Sequence, residues 1–227
     1  MLRRTYRELT TFSLVLLLLC WALYLLDSVH TRWAESRVRS TVSGQLVQQG
    51  VVLSNTLNSK LALLYGLRSY VEADPSTARL DSEFDLIAHS LRENTVGIRA
   101  LQLVKDGRIQ YMYPTHGNEA AIGLNLLNDP RPHVQETVRD AMTSNVVTIN
   151  GPLELKQGGS GIVARLPIHD DGEVWGLAAV VIDLPALFAE AGIQSENGGM
   201  LVAARDAERE VFFGEDDVYK ARPEVQR

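Results

Sequence analysis

Tyr113-Pro114-Thr115-His116-Gly117-Asn118-Glu119-Ala120-Ala121-Ile122-Gly123 opens the stretch whose reading decides the fold. Asn128-Asp129-Pro130-Arg131, Asn150-Gly151-Pro152, Gln157-Gly158-Gly159 and Arg165-Leu166-Pro167-Ile168 follow it. The stretch closes on Trp175-Gly176 and Val180-Val181-Ile182-Asp183-Leu184. Glycines and prolines here punctuate short apolar runs, which is how a sequence writes strands joined by defined turns. Ile162–Ile168 alternates apolar and mixed residues as a strand does. Trp175–Ile182 is apolar on both faces and belongs in the middle of a sheet. Val146–Ile149 is a third strand.

Working outward toward the N-terminus, Arg99–Val104 and Ile109–Tyr113 flank Lys105-Asp106-Gly107-Arg108. Asp-Gly between two β-rich runs is a hairpin signal. The segment from Pro114 to Asp129 then reads as a long loop, of the kind that tends to carry function. Pro130 suits the first turn of a helix capped by Asp129 and reaching about Ser144. An earlier helix, capped by Asp81 or Ser82 and running to about Asn94, places Phe84, Ile87, Ala88 and Leu91 on one face. Toward the C-terminus, Pro185–Ala191 is a short helix ended by Gly192. Met200–Ala204 and Glu210–Phe213 begin another strand pair, before a charged tail. The element order is that of an α+β fold with an antiparallel-leaning sheet.

Upstream, from Ser28 to Ala73, the chain has no proline and only Gly44, Gly50 and Gly66. Val38, Val42, Leu46, Leu53, Leu57, Leu61, Leu64, Leu67 and Val71 recur in steps of three, four or seven, the stripe of a helix. Unbroken, it would make a rod of roughly 70 Å. The stripe serves packing within the chain's own domain or a dimer seam near the membrane, or each along a different part. Ala73-Asp74-Pro75-Ser76 stops it. Residues 9–26 carry no charge, about 18 residues and enough to cross most of a hydrocarbon core. Arg3, Arg4 and Arg7 precede this run and no base follows until Arg32, so residues 1–8 are expected in the cytoplasm. A cleaved signal peptide is the rival, but Asp27-Ser28-Val29-His30-Thr31 offers no small-x-small cleavage site.

A net charge of −6 argues against nucleic acid as a partner. The one cysteine, Cys20, lies inside the apolar run and rules out a disulfide framework within one chain. No Walker loop or dinucleotide fingerprint occurs, and Gly158-Gly159-Ser160-Gly161-Ile162 lacks the last glycine of a nucleophile elbow. His30, His89, His116, His133 and His169 show no metal-ligand spacing. No catalytic residue, metal site or cofactor is expected. A binding pocket is better supported. Arg165 points away from Ile162, Ala164, Leu166 and Ile168, and a mid-domain arginine must find an acid, a carbonyl or a ligand. Either a ligand or an internal carboxylate such as Glu154 meets that need. Tyr111 and Tyr113 share a strand face and wall the same pocket or fill the core. Thr148 and Asn150 are candidates for polar contacts. Lys156 is a candidate for the pocket rim.

The motifs from Tyr113 to Leu184, taken in register, resemble the CHASE domain, the extracytoplasmic sensor module of bacterial histidine kinases and nucleotide cyclases and of plant cytokinin receptors. The resemblance implies a transmembrane helix at 9–26 and a helical stalk over 27–80. It further implies two PAS-like domains in tandem, a membrane-distal one over 81–183 and the start of a membrane-proximal one over 184–227. Val211-Phe212-Phe213-Gly214-Glu215 resembles a family strand that further strands follow, so the chain is expected to be part of a longer protein. Alignment with the plant receptors on Pro167-Ile168 sets Arg165 where they contact hormone with a threonine. Alignment on Gly151-Pro152 sets Val134 where they hold an aspartate that grips the purine. Without that acidic hook a purine is not implied, and a guanidinium favours an anionic ligand. The expectation is therefore a small-molecule sensor on the outer side of the cell (inner) membrane. It is anchored in the bilayer, dimeric through its stalk, and feeds a kinase or cyclase outside this chain. The alternative is a membrane-anchored adaptor whose pocket is filled and whose stalk binds a protein.

Overall fold

The structure, a computed structural model, describes residues 2–156, 158–197, 200–206 and 209–220. Side chains at 2–16, 18, 22, 25–39, 197, 200 and 220 are also left out of the description. Of the run 9–26 expected to cross a membrane, most side chains lie outside the described residues. Among the described residues no helix is long and apolar enough to cross one. The chain divides into two compact units, 1–50 and 51–227.

The first unit is helix. It belongs to α1 (Leu2–Ala73), which runs through Gly44, Gly50 and Gly66 without a break. Leu46 and Val47 are exposed on it. In the second unit the expected stripe becomes core. Leu64, Leu67 and Val71 are fully buried, and Leu53, Leu57 and Leu61 pack against them. At Gly66 a β-carbon would come 3.1 Å from Leu91 Cδ2, so the bare backbone lets α1 and α2 (Thr77–Arg92) approach closely. Helix α2 begins before Asp81, the expected cap. Ser76 is its N-cap, and the Ser82 hydroxyl donates to the Ala78 and Arg79 carbonyls inside the helix instead of capping it. Leu80, Phe84 and Ala88 form its buried face.

Five antiparallel strands follow: β1 (Ile98–Lys105), β2 (Arg108–Tyr113), β3 (Thr148–Glu154), β4 (Ser160–Asp170) and β5 (Glu173–Asp183). Their order is β2-β1-β5-β4-β3, which puts the doubly apolar β5 in the centre, as its sequence requires. The β1–β2 turn holds Asp106 and Gly107 both at positive φ, 53° and 73°, the backbone a two-residue hairpin demands. Between β2 and β3 lies α3 (Pro132–Thr143), whose N-cap is Arg131. It starts two residues later than the Asp129 cap anticipated. Pro132 takes the first-turn position and Asp129 turns instead to Arg131. Helix α4 (Leu184–Glu190) is capped by the Asp183 side chain and followed by Gly192 at φ 69°. Two short pairs, β6 (Glu196–Asn197) with β7 (Met200–Leu201) and β8 (Ala204–Arg205) with β9 (Val211–Phe213), precede α5 (Asp217–Lys220). The rest of the expected charged tail lies outside the described residues.

The sheet separates two cores. One face packs Leu101, Leu103, Ala164, Leu166, Ile168, Ala178, Val180 and Ile182 against α1, α2 and α4. The other packs Ala100, Val104, Val163, Leu177, Ala179 and Val181 against α3 and the loop before it.

Candidate functional site

Alternation along β4 settles where Arg165 goes. Ala164 and Leu166 enter the first core, so Arg165 enters the second, and it is 4% exposed. There it lines a cavity of about 50 Å³, framed by Gln102 on β1, Ile109 on β2, Val134 on α3, Asn150 on β3 and Val181 on β5. One water needs roughly 10–15 Å³ by this measure, so the space suits a few waters as it stands. The loop after β2 closes one side through Ala121, Leu124, Leu126 and Asp129.

That loop is tied down rather than free. Ile109 N–H donates to the Leu124 carbonyl at 3.0 Å, Gly123 N–H to Ile109 at 2.9 Å and Leu126 N–H to Gly107 at 2.7 Å. It also winds into two single 3₁₀ turns, at Glu119–Ala121 and Leu126–Asn128. Nearby, β3 kinks at Gly151, whose φ is 140° and where a β-carbon would sit 2.8 Å from the Gly161 carbonyl oxygen. That close approach of β3 to β4 explains the glycine and sets Asn150 facing inward. Gly158 and Gly159 form the β3–β4 turn, with Leu155 N–H donating to the Gly159 carbonyl.

The electrostatics of the cavity are unusual. Arg165 Nε and Nη1 are buried and, among the described residues, have no hydrogen-bond partner. Burial, and secondarily the like charge of Arg131, push the guanidinium down to about 10. Glu154, the internal acid considered as its partner, offers its backbone carbonyl to Arg131 Nη1 at 2.9 Å instead. Among the described residues Arg165 has no ion pair. Asp129, 5% exposed, is held by Arg131 through both carboxylate oxygens, at 2.8 Å from Nε and 3.0 Å from Nη2. The Arg131 hydrogen bond, working against burial, carries the Asp129 carboxyl down to about 2.

Of the other residues singled out from the sequence, Asn150 lines the cavity, its Nδ2 donating to Thr137 Oγ1 at 2.7 Å. Lys156 stands exposed at its edge. Thr148 lies opposite Arg165 in the ladder and reaches only its backbone carbonyl, at 3.5 Å. Tyr111 and Tyr113 do not wall the cavity. They lie on the opposite face of the sheet, where Tyr111 donates to Asp81 Oδ1 at 2.7 Å and Tyr113 Oη sits 2.8 Å from His89 Nδ1. A bulge in β2 causes this. Val104 pairs with Ile109 and Leu103 with Tyr111, so Gln110 is the extra residue and the side-chain alternation reverses across it. His116 is fully solvated. Sequence reasoning missed Gln102, Asp129 and Arg131 as site residues. The Asp-x-Arg spacing just before α3 was the available signal, and it was absorbed by the reading of Asp129 as a cap.

The CHASE domain sequence model matches residues 90–211, more than half of the chain. No curated protein sequence matches it. Among solved structures, the sensor domain of the V. cholerae histidine kinase DctB is 16% identical at a TM-score of 0.55, with 77% of this chain and 67% of that one covered. The ligand-binding domain of the Pseudomonas aeruginosa PAO1 amino acid chemoreceptor PctC, in complex with GABA, is 17% identical at a TM-score of 0.52, covering 76% and 74%. The sensory domain of the Campylobacter jejuni chemoreceptor Tlp3 is 15% identical at 0.51, covering 83% and 77%. The chain spans 54% of the extracellular domain of rpHK1S-Z16. The similarity to these domains is one of fold. The chain belongs to the CHASE domain family.

Proposed function

We propose that this CHASE-family chain is the extracytoplasmic small-molecule-sensing region of a membrane-bound receptor. Its ligand is an anion received by Arg165. The observation that carries this reading is a buried guanidinium with two nitrogens unpartnered among the described residues, beside a cavity. Such an arrangement costs stability in the empty protein, because a desolvated cation lacks compensation. A carboxylate supplies the missing acceptors in bidentate form. The PctC domain of similar fold is in complex with GABA, which carries a carboxylate too.

Residues 9–26 would anchor the chain in the inner membrane with residues 1–8 inside. The exposed Leu46, Val47, Val51 and Val52 on α1 would meet a second copy. Residues 81–183 would be the membrane-distal PAS-like module and 184–227 the start of a second. The sensing region catalyses nothing itself, and the kinase or cyclase it controls lies outside this chain. Ligand binding acts by preferring one of two states of the cavity and of the stalk.

The test is thermal unfolding of the full chain in detergent micelles against a panel of small carboxylates, repeated with Arg165→Ala. At least one carboxylate should raise the wild-type midpoint. The variant should lose ~2–5 kcal/mol of that ligand's binding energy. Equal responses in both proteins, or none across the panel, would exclude Arg165 as an anion receptor.

A further inference from the structure

Among the described residues that line the cavity Asp129 is the only carboxylate, and both of its oxygens accept from Arg131. It also accepts the Arg131 backbone N–H at 3.0 Å. An amino acid entering carboxylate-first onto Arg165 brings an ammonium group that needs an acceptor, preferably a charged one. Among the described lining residues the one charged acceptor already takes three hydrogen bonds from Arg131. Gln102 and Asn150 are neutral amides, while Arg165, Arg131 and Lys156 are three positive charges. Most of the remaining wall is branched aliphatic, with Leu124, Leu126 and Val134 prominent. We infer that the ligand class is a short aliphatic carboxylate without an amino group, and that the Asp129–Arg131 pair is the specificity device that turns amino acids away.

The inference rests on the reading of Arg165 as an anion receptor and goes a step further. Arg131 acts twice. It neutralises the one acid that would greet an ammonium, and its own charge faces the same cavity. With Asp129 committed to Arg131, an ammonium in the cavity meets like charge and no free carboxylate, which excludes a competitor that fits by shape.

The experiment is titration calorimetry of the full chain with three probes of one skeleton: 3-methylbutanoate, L-valine and 3-methylbutanamide. The acid should bind, and L-valine should bind weaker by roughly a hundredfold. The uncharged amide should bind negligibly. L-Valine binding as tightly as the acid would overturn the inference and leave the anion reading standing. The amide binding as tightly as the acid would overturn the anion reading itself. If the acid fails to bind, the inference falls, and the broader carboxylate panel decides separately whether Arg165 receives an anion. Arg131→Gln supplies a second readout, since freeing Asp129 should shrink the penalty on L-valine. A penalty unchanged in a folded Arg131→Gln protein would remove the pair's assigned role.

Discussion

The two faces of the central sheet treat charge in opposite ways. On the face toward α1, α2 and α4, the buried lysine of α1 and the two tyrosines of β2 are matched. Lys60, fully buried on α1, donates to the Val96 carbonyl and to Glu190 Oε2 on α4 at 2.6 Å. Tyr111 and Tyr113 reach Asp81 and His89 on α2. On the face toward α3, Arg165 is left with two unpartnered nitrogens beside empty space. Neighbouring residues of β4 serve both faces, so the contrast does not come from distance or local disorder. Folding pairs the buried cation of one face and leaves that of the other for a ligand to pair. Polar groups that folding alone leaves unsatisfied are uncommon in native proteins and call for an explanation of this kind.

The contrast is broken most severely at Lys60. Lys60→Met removes the cation while leaving Glu190 and the Val96 carbonyl behind, and it should destabilise the domain by ~3 kcal/mol. Denaturant unfolding of the variant checks this. A loss within the noise would mean that the matched face is no better satisfied than the other.

A smaller effect sharpens the picture of the cavity face, where Asp129 is a charged group that folding does complete. Its carboxyl is held near 2 in the folded protein, against roughly 4 in an unfolded chain. A depressed carboxyl contributes stability at neutral pH. The contribution fades as pH falls from about 5 and is gone below about 2. Asp129→Asn should therefore cost ~2 kcal/mol at neutral pH, with the gap to wild type closing toward the acid end. Urea unfolding across that range reads it. A gap that stays constant with pH would point to packing instead of charge.

Much of this contrast was legible in the sequence because it depends on local periodicity. The two-faced apolarity of Trp175–Ile182 marked the central strand. Asp106-Gly107 marked the hairpin, and the alternation through Ile162–Ile168 isolated Arg165 from its apolar neighbours. What escaped depends on choices between equivalent signals or on tertiary contacts. Two prolines, Pro130 and Pro132, compete for the first turn of α3, and nothing local prefers the second. Asp81, Ser82 and Ser76 are equivalent cap signals for α2, and the helix starts at the earliest of them, which brings Leu80 into its buried face. The bulge at Gln110 moved the tyrosines to the far face, and a single inserted residue leaves no mark in the composition of a strand. The ring of bonds between Asp129 and Arg131 joins residues two apart, yet what makes it matter is Arg165, which comes from another strand.

Arg165 is held charged and, among the described residues, unpaired, at a cost to the empty protein. A base whose folded value lies near 10, below its ordinary value, is penalised for its charge at every pH under that value, and the penalty lifts as pH rises through it. The most direct test is the unfolding free energy, at neutral pH and without ligand, of wild type and Arg165→Leu. The leucine variant should be as stable as wild type or more stable, by ~1–3 kcal/mol, since an apolar side chain replaces an uncompensated buried charge. A loss of ~3–5 kcal/mol, the cost of breaking a buried pair, would mean that Arg165 is a structural cation with a partner of its own, and would contradict the account.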